Sequence, residues 1–149
     1  MTSAIGLWTL VRFVHVTGAV LWVGGQLALS WVVLPLARRM LPEEDRARFA
    51  SAAGRRFGIL TGAVFLPVQA ATGWAMARHK GITFATLAKP GYGRTLAAKL
   101  ALFLVVLAAA AAHGRAYSRG RTGTARALAV ASLVGSLGVV LLATGLPST

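Results

Sequence analysis

The chain has 149 residues, of which 56% are hydrophobic and 13% are charged, and its mean hydropathy is +0.69. Soluble domains carry about 25% charged residues, so these values are typical of an integral membrane protein and exclude an ordinary soluble domain. The absence of cysteine excludes disulfides and thiolate metal ligands. No hydrolytic triad, phosphate-binding loop or catalytic carboxylate pair is recognisable in the sequence.

Four apolar runs cover about residues 8–37, 57–78, 94–113 and 126–146. A helix needs roughly 20 apolar residues to cross about 30 Å of hydrocarbon, and each run approaches or exceeds that length. The sequence therefore predicts an all-α integral membrane protein. Its residues 1–149 are expected to form a single domain, a bundle of four transmembrane helices.

The formal net charge of +13 comes mostly from the gaps between the runs. The first gap holds six arginines and the third holds four, whereas the second holds two arginines and two lysines. Lys and Arg favour the cytoplasmic side, so the first and third gaps are predicted there and both termini are predicted outside. A basic cytoplasmic face attracts anionic lipid head groups, so we expect the lipid bilayer as a partner and no nucleic acid.

The first gap also holds all three acidic residues of the chain, Glu43, Glu44 and Asp45, directly after Pro42. Proline favours the first turn of a helix, and carboxylates stabilise its positive end. We therefore predict a short cytoplasmic interfacial helix between the first two transmembrane helices, leading into the second.

The second run begins near three glycines spaced four residues apart, Gly54, Gly58 and Gly62, and contains Pro67. Small residues at this spacing indicate a face that another helix can approach closely. Proline removes one backbone hydrogen bond of a helix, so a kink is expected at Pro67.

One histidine lies inside the first run, in the segment HVTGAVLWVGG at residues 15–25. On a helix His15, Gly18, Trp22 and Gly25 share one stripe, and the glycines leave room beside the imidazole for a neighbouring helix or a flat ligand. The imidazole either hydrogen-bonds a polar group of another helix or binds haem iron or copper. Trp22 lies away from the predicted membrane interfaces, so we expect it to be buried among helices.

Lys99 is a second ionisable residue inside a run. The first and third runs cross in the same direction, so Lys99 and His15 are expected at similar depth in the outer third. The second run can bring Gln69 and Met76 toward that level as additional metal ligands. The runs contain no Asp or Glu, so Lys99 either extends to the outer head groups or meets an acidic group such as a haem propionate or a lipid phosphate.

The other two histidines are predicted to lie outside this site. His79 follows the second run and is expected to be solvated in the outer loop. His113 closes the third run, fourteen residues and about 21 Å along the helix axis from Lys99. It therefore cannot share one small site with His15.

The segment RFVHVTGAVLWVGGQLALSWVVLPLAR resembles the first helix of the copper-resistance D (CopD) membrane domain, with His15 seven positions before Trp22 and a Gly-Gly pair following. RFGILTGAVFLPVQAATGW resembles the second helix of that domain, and YGRTLAAKLALFLVV resembles its third. The resemblance implies a multi-pass protein of the bacterial cytoplasmic (inner) membrane that takes part in copper handling. It also implies that His15 is the metal-binding residue.

The same residues resemble the HemJ-type protoporphyrinogen oxidases, which are four-helix membrane proteins with a haem-binding histidine in the first helix and a functional lysine in the third. His15, Trp22, Gly25 and Lys99 match that pattern, whereas the Tyr-Leu-Pro-Arg run of that family after Gly25 is missing. This resemblance implies b-type haem, with His15 as axial ligand, Trp22 beside the macrocycle and Lys99 at a propionate or at the substrate.

Three functions therefore stay open at the level of sequence. The first is copper handling, in which His15 is assisted by Gln69 or Met76. The second is a haem-binding membrane oxidoreductase, with Gly18 and Gly25 beside the cofactor. The third is a non-catalytic bundle that forms a homo-oligomer or supports a larger membrane complex.

Overall fold

The computed structural model describes residues 6–145, and these residues form helices and no strand. The helices are α1 (Leu7–Met40), α2 (Glu43–His79), α3 (Phe84–Leu87), α4 (Tyr92–Ser118) and α5 (Thr122–Thr144). All of them except α3 are long and apolar enough to cross a membrane. The predicted all-α fold and its four helices of membrane-spanning length are therefore confirmed.

The chain divides between Gly81 and Ile82 into two compact units. In the first unit α1 packs against α2, and in the second unit α4 packs against α5 and also contacts the short helix α3. Only Leu41 and Pro42 separate α1 from α2, and only residues 119–121 separate α4 from α5. Connections this short make each pair an antiparallel helical hairpin.

Both helices of the first unit contain a π-helical turn that ends two residues before a proline. The turns are Leu29–Val33, ahead of Pro35, and Thr61–Phe65, ahead of Pro67. Proline lacks an N–H, and its ring collides with the carbonyl four residues earlier, so the backbone widens there. The disturbance expected at Pro67 thus takes the form of a π turn, and the same local sequence, Val-x-Leu-Pro, produces a second one at Pro35.

Helix α2 has 37 residues, which corresponds to about 55 Å at 1.5 Å per residue. A hydrocarbon layer measures about 30 Å, so α2 is longer than one crossing requires. Its charged N-terminal residues are outside the apolar part that is suited to cross. The segment predicted as a separate interfacial helix is helical, but it continues through Leu60 and the π turn into the rest of α2. Glu43, Glu44 and Asp45 occupy its first turn, as the sequence predicts, whereas Pro42 is the N-cap, one position before the first turn in which it was expected.

The glycines that permit close packing in the first unit are different from those predicted. A Cβ built at Gly54, Gly58 or Gly62 would meet no heavy atom of this unit within 4 Å. At Gly18 and Gly25, in contrast, such a Cβ would lie 2.6 Å from the Gln69 amide and 2.7 Å from the Phe57 ring, respectively. The close approach of α1 and α2 therefore depends on glycines of α1.

In the second unit, larger side chains of α4 pack against small residues of α5. A Cβ at Gly135 would lie 2.5 Å from Cγ2 of Val106, which is only 1% exposed. Ser136 is fully buried, and its hydroxyl donates a hydrogen bond of 2.8 Å to the carbonyl of Ser132 one turn earlier. Packing of this kind, with small residues at the contact, is how helices associate in lipid, where no hydrophobic effect draws them together.

Candidate functional site

The imidazole of His15 lies between α1 and α2, half-buried, with its Nδ1 2.7 Å from the hydroxyl oxygen of Thr72. That hydroxyl has a single proton, which it donates to the carbonyl of Val68 at 2.5 Å. The Thr72 oxygen therefore accepts from His15, and Nδ1 carries the imidazole proton. In the neutral form of the ring, the lone pair is then on Nε2.

Gln69 holds the backbone at the same position. Its Nε2 donates a hydrogen bond of 2.7 Å to the carbonyl of His15. Gln69 and Thr72 are three residues apart on α2, so they share one helical face. One side chain of α2 thus fixes the main chain at residue 15 and another fixes its imidazole.

Glycines on the two helices accommodate these polar side chains reciprocally. Gly18, on the stripe of His15, faces Gln69, and a Cβ built at Gly73 would lie 3.3 Å from Cε1 of His15. The sequence leaves open whether the glycines of α1 admit a helix or a ligand. In the structure, side chains of α2 occupy the space beside Gly18 and Gly25. A contact of either glycine with a cofactor stays a prediction.

The remaining site residues of the first unit lie on both sides of this cluster. Trp22 is buried, at 5% exposure, as the sequence predicts. Met76 is half-buried one helical turn beyond Thr72. At the end of the hairpin the exposed ring of His79 stacks on Trp8, with 3.7 Å between ring centroids and 17° between planes.

Lys99 and His113 belong to helix α4 of the second unit. Lys99 is half-buried and forms no hydrogen bond or ion pair with another residue in the part of the chain that the structure describes. Nδ1 of His113 lies 2.7 Å from the carbonyl oxygen of Ala125, which can only accept, so His113 donates across the α4–α5 hairpin. The sequence gives no signal for this bond, because the acceptor is a backbone group of another helix.

Within residues 6–145, no three His, Cys, Asp or Glu side chains lie close enough together to hold a metal ion. The donors near His15 are instead one imidazole nitrogen, the amide oxygen of Gln69 and, farther along α2, the thioether of Met76. This donor set provides one strong nitrogen ligand in an apolar helical hairpin.

Comparison of the chain with protein-family models, with curated proteins and with solved structures gives no match. The resemblance of its motifs to the CopD and HemJ-type families therefore stays a prediction. What the site can do chemically follows from the residues around His15 themselves.

Replacement of Thr72 by valine is expected to release the tautomer of His15. Valine preserves the shape of threonine but cannot accept the Nδ1–H, whereas serine keeps the hydroxyl and serves as the matched control. We expect the Nδ1–H fraction of the neutral imidazole to fall in Thr72→Val and to persist in Thr72→Ser, as measured by ¹⁵N NMR of labelled histidine. Equal Nδ1–H fractions in the two variants would contradict the assigned direction of the hydrogen bond.

Proposed function

We propose that this chain is a multi-pass membrane protein that binds b-type haem through Nε2 of His15. The observation that carries the proposal is the hydrogen bond from Nδ1 of His15 to Thr72, which leaves Nε2 as the basic nitrogen. Histidines that bind metals characteristically donate their other ring N–H to a fixed acceptor, which orients the ring and increases its basicity. Here the acceptor is a hydroxyl that is itself anchored to the carbonyl of Val68.

The donor set fits haem better than an isolated metal ion. A haem iron brings four nitrogen ligands of its own and needs one imidazole from the protein to be held. Bound haem would supply reversible one-electron chemistry. The residues of the chain would contribute the axial nitrogen of His15, the orientation given by Thr72 and the fixed backbone given by Gln69.

Copper is the second candidate, favoured by the position of Gln69 and Met76 on the same helix as Thr72. Imidazole and thioether are both ligands that copper accepts, and the amide oxygen of Gln69 is not used by its bond to the His15 carbonyl. In this case the chain would hold the ion in copper handling, as its resemblance to the CopD domain implies. Whether haem or copper is bound, His15 is the central ligand in this proposal.

The proposal places the chain in the bacterial cytoplasmic membrane, with both termini outside and the site in the outer half of the first hairpin. The excess of arginine in the first and third gaps supports this orientation, because cytoplasmic loops carry more Lys and Arg than outer ones. It also places the basic α4–α5 connection in the cytoplasm, next to anionic lipid.

Spectra of the detergent-purified protein, oxidised and reduced with dithionite, together with metal analysis of the same sample, test the proposal. We expect a Soret band and, after reduction, sharp α and β bands. A colourless sample with stoichiometric copper would replace haem by copper as the ligand of His15. A sample that holds neither, and takes up neither when each is added, would overturn the proposal and leave His15 as a packing residue of a non-catalytic bundle.

A further inference from the structure

The connection between α4 and α5 forms an open cleft of 260 Å³. Its lining includes three arginines, the hydroxyl-bearing Thr124 and an apolar side formed in part by Leu128; the arginines are Arg115, Arg119 and Arg121. All of these residues belong to the second unit. The cleft therefore shares no residue with the site around His15.

In the part of the second unit that the structure describes, the three guanidinium groups have no carboxylate beside them. The only acidic residues of the chain are at positions 43–45, so the second unit contains none. Among residues 6–145, no hydrogen bond or ion pair joins the side chain of Arg115, Arg119 or Arg121 to another residue. Arg119, the C-cap of α4, follows Arg115 by four residues, a spacing at which like charges repel.

The backbone holds the third arginine close to the other two. Helix α4 ends in a Schellman motif, in which Gly120 adopts a left-handed φ of +70° and donates to the carbonyl of Tyr117 at 3.0 Å. The N–H of Arg121 then donates to the carbonyl of Ala116 at 2.9 Å. Arg121 is thus folded back over the last turn of α4, which carries Arg115, instead of extending away from it.

We propose that this cleft binds a phosphate group, presented either by an anionic phospholipid or by a free phosphate compound. Guanidinium groups pair with phosphate oxygens through two parallel hydrogen bonds, and the Thr124 hydroxyl adds a neutral donor. The positive N-terminal end of α5, which begins at Thr122, also favours an anion here. The volume lies below the about 300–1,000 Å³ of drug-sized pockets, so the cleft suits a head group or a small phosphate compound.

The test compares a cleft variant with a control of equal charge. The cleft variant is Arg115→Gln, Arg119→Gln and Arg121→Gln together, and the control carries Arg38→Gln, Arg39→Gln and Arg55→Gln, all exposed arginines of the first unit. Each protein is placed in phosphatidylcholine nanodiscs and titrated with phosphatidylglycerol in one series and with inorganic pyrophosphate in another. Native mass spectrometry counts the bound lipid, and calorimetry measures the pyrophosphate affinity.

We expect affinity for at least one probe to fall about tenfold or more in the cleft variant and about threefold or less in the control, because diffuse attraction depends on net charge alone. Loss confined to phosphatidylglycerol identifies a lipid head group, and loss confined to pyrophosphate identifies a free phosphate compound. Equal losses in the two variants, or no loss in either, would overturn the proposal. Should the triple variant fail to fold, Arg119→Gln compared with Arg39→Gln provides the same contrast.

Discussion

Replacing His15 by alanine is expected to abolish the proposed binding of haem or copper while the helical hairpins stay folded. Among the described residues of the α1–α2 site the imidazole is the nitrogen ligand, and the Gln69 amide oxygen and the Met76 thioether are weaker donors that do not replace it. The variant also loses the hydrogen bond between Nδ1 and Thr72, which contributes about 0.5–1.5 kcal/mol to stability, so a modest drop in melting temperature should accompany the loss. The absorbance spectrum and the metal content are the measurements.

His113→Ala is the matched control for this experiment. His113 also donates its Nδ1–H across a helical hairpin, to the carbonyl of Ala125, so its replacement removes a comparable bond from the other unit. We expect this variant to keep full haem or copper occupancy, and we expect added imidazole to restore the spectrum of His15→Ala in part. Unchanged occupancy in His15→Ala, or equal loss in both variants, would contradict the assignment of His15 as the ligand.

Lys99→Ala belongs in the same set of variants. If Lys99 meets a propionate, haem affinity falls while the axial ligation seen in the spectrum is retained; if the side chain only extends to head groups, affinity does not change. The result decides between the two roles that the sequence leaves open for this lysine, and neither result alters the role of His15.

The sequence predicts the helices well because membrane-spanning length and apolar composition are properties of each segment by itself. The π turns at Leu29–Val33 and Thr61–Phe65 were not predicted in this form, although Pro67 indicated a disturbance. A kink and a π turn relieve the same steric collision, and the choice between them depends on the packing of the helix against its neighbour. The change from charged to apolar composition indicated a short interfacial helix ahead of the second run, but no proline lies between Pro42 and Pro67, so α2 continues from Glu43 to His79.

For the candidate site, the sequence predicts which residues are close but not how they are bonded. Gln69 was expected at the level of His15 because α2 returns antiparallel to α1, and its hydrogen bond to the His15 carbonyl agrees with that expectation. The identity of the protonated nitrogen depends on the direction of the Thr72 hydroxyl bond. That direction is set by the carbonyl of Val68, a backbone group with no signature in the sequence.

The glycines also show that spacing in the sequence does not identify which residues are in contact. Three glycines at a spacing of four, Gly54, Gly58 and Gly62, are the more regular pattern, yet α1 contacts α2 closely through Gly18 and Gly25. Spacing identifies a smooth face on one helix, whereas close packing needs a large side chain opposite, such as Gln69 or Phe57. Only the pairing of the two helices shows where such partners meet.

Gly135→Leu is expected to destabilise the α4–α5 hairpin of the second unit strongly. Already the first added carbon would lie 2.5 Å from Cγ2 of Val106. Val106 is 1% exposed and β-branched, so it has no alternative rotamer of similar energy and no room to adopt one. The helices α4 and α5 must then separate, at a cost of about 3 kcal/mol or more in the free energy of unfolding.

Gly114→Leu is the control, because a Cβ at Gly114 meets no heavy atom of the second unit within 4 Å. Leucine has a higher helix propensity than glycine by about 1 kcal/mol, so the control should be neutral or slightly stabilised. Reversible unfolding by sodium dodecyl sulfate in mixed micelles measures both variants. A Gly135→Leu protein as stable as the Gly114→Leu protein would show that α4 and α5 can change their spacing freely, and that contact of Gly135 with Val106 does not hold the hairpin together.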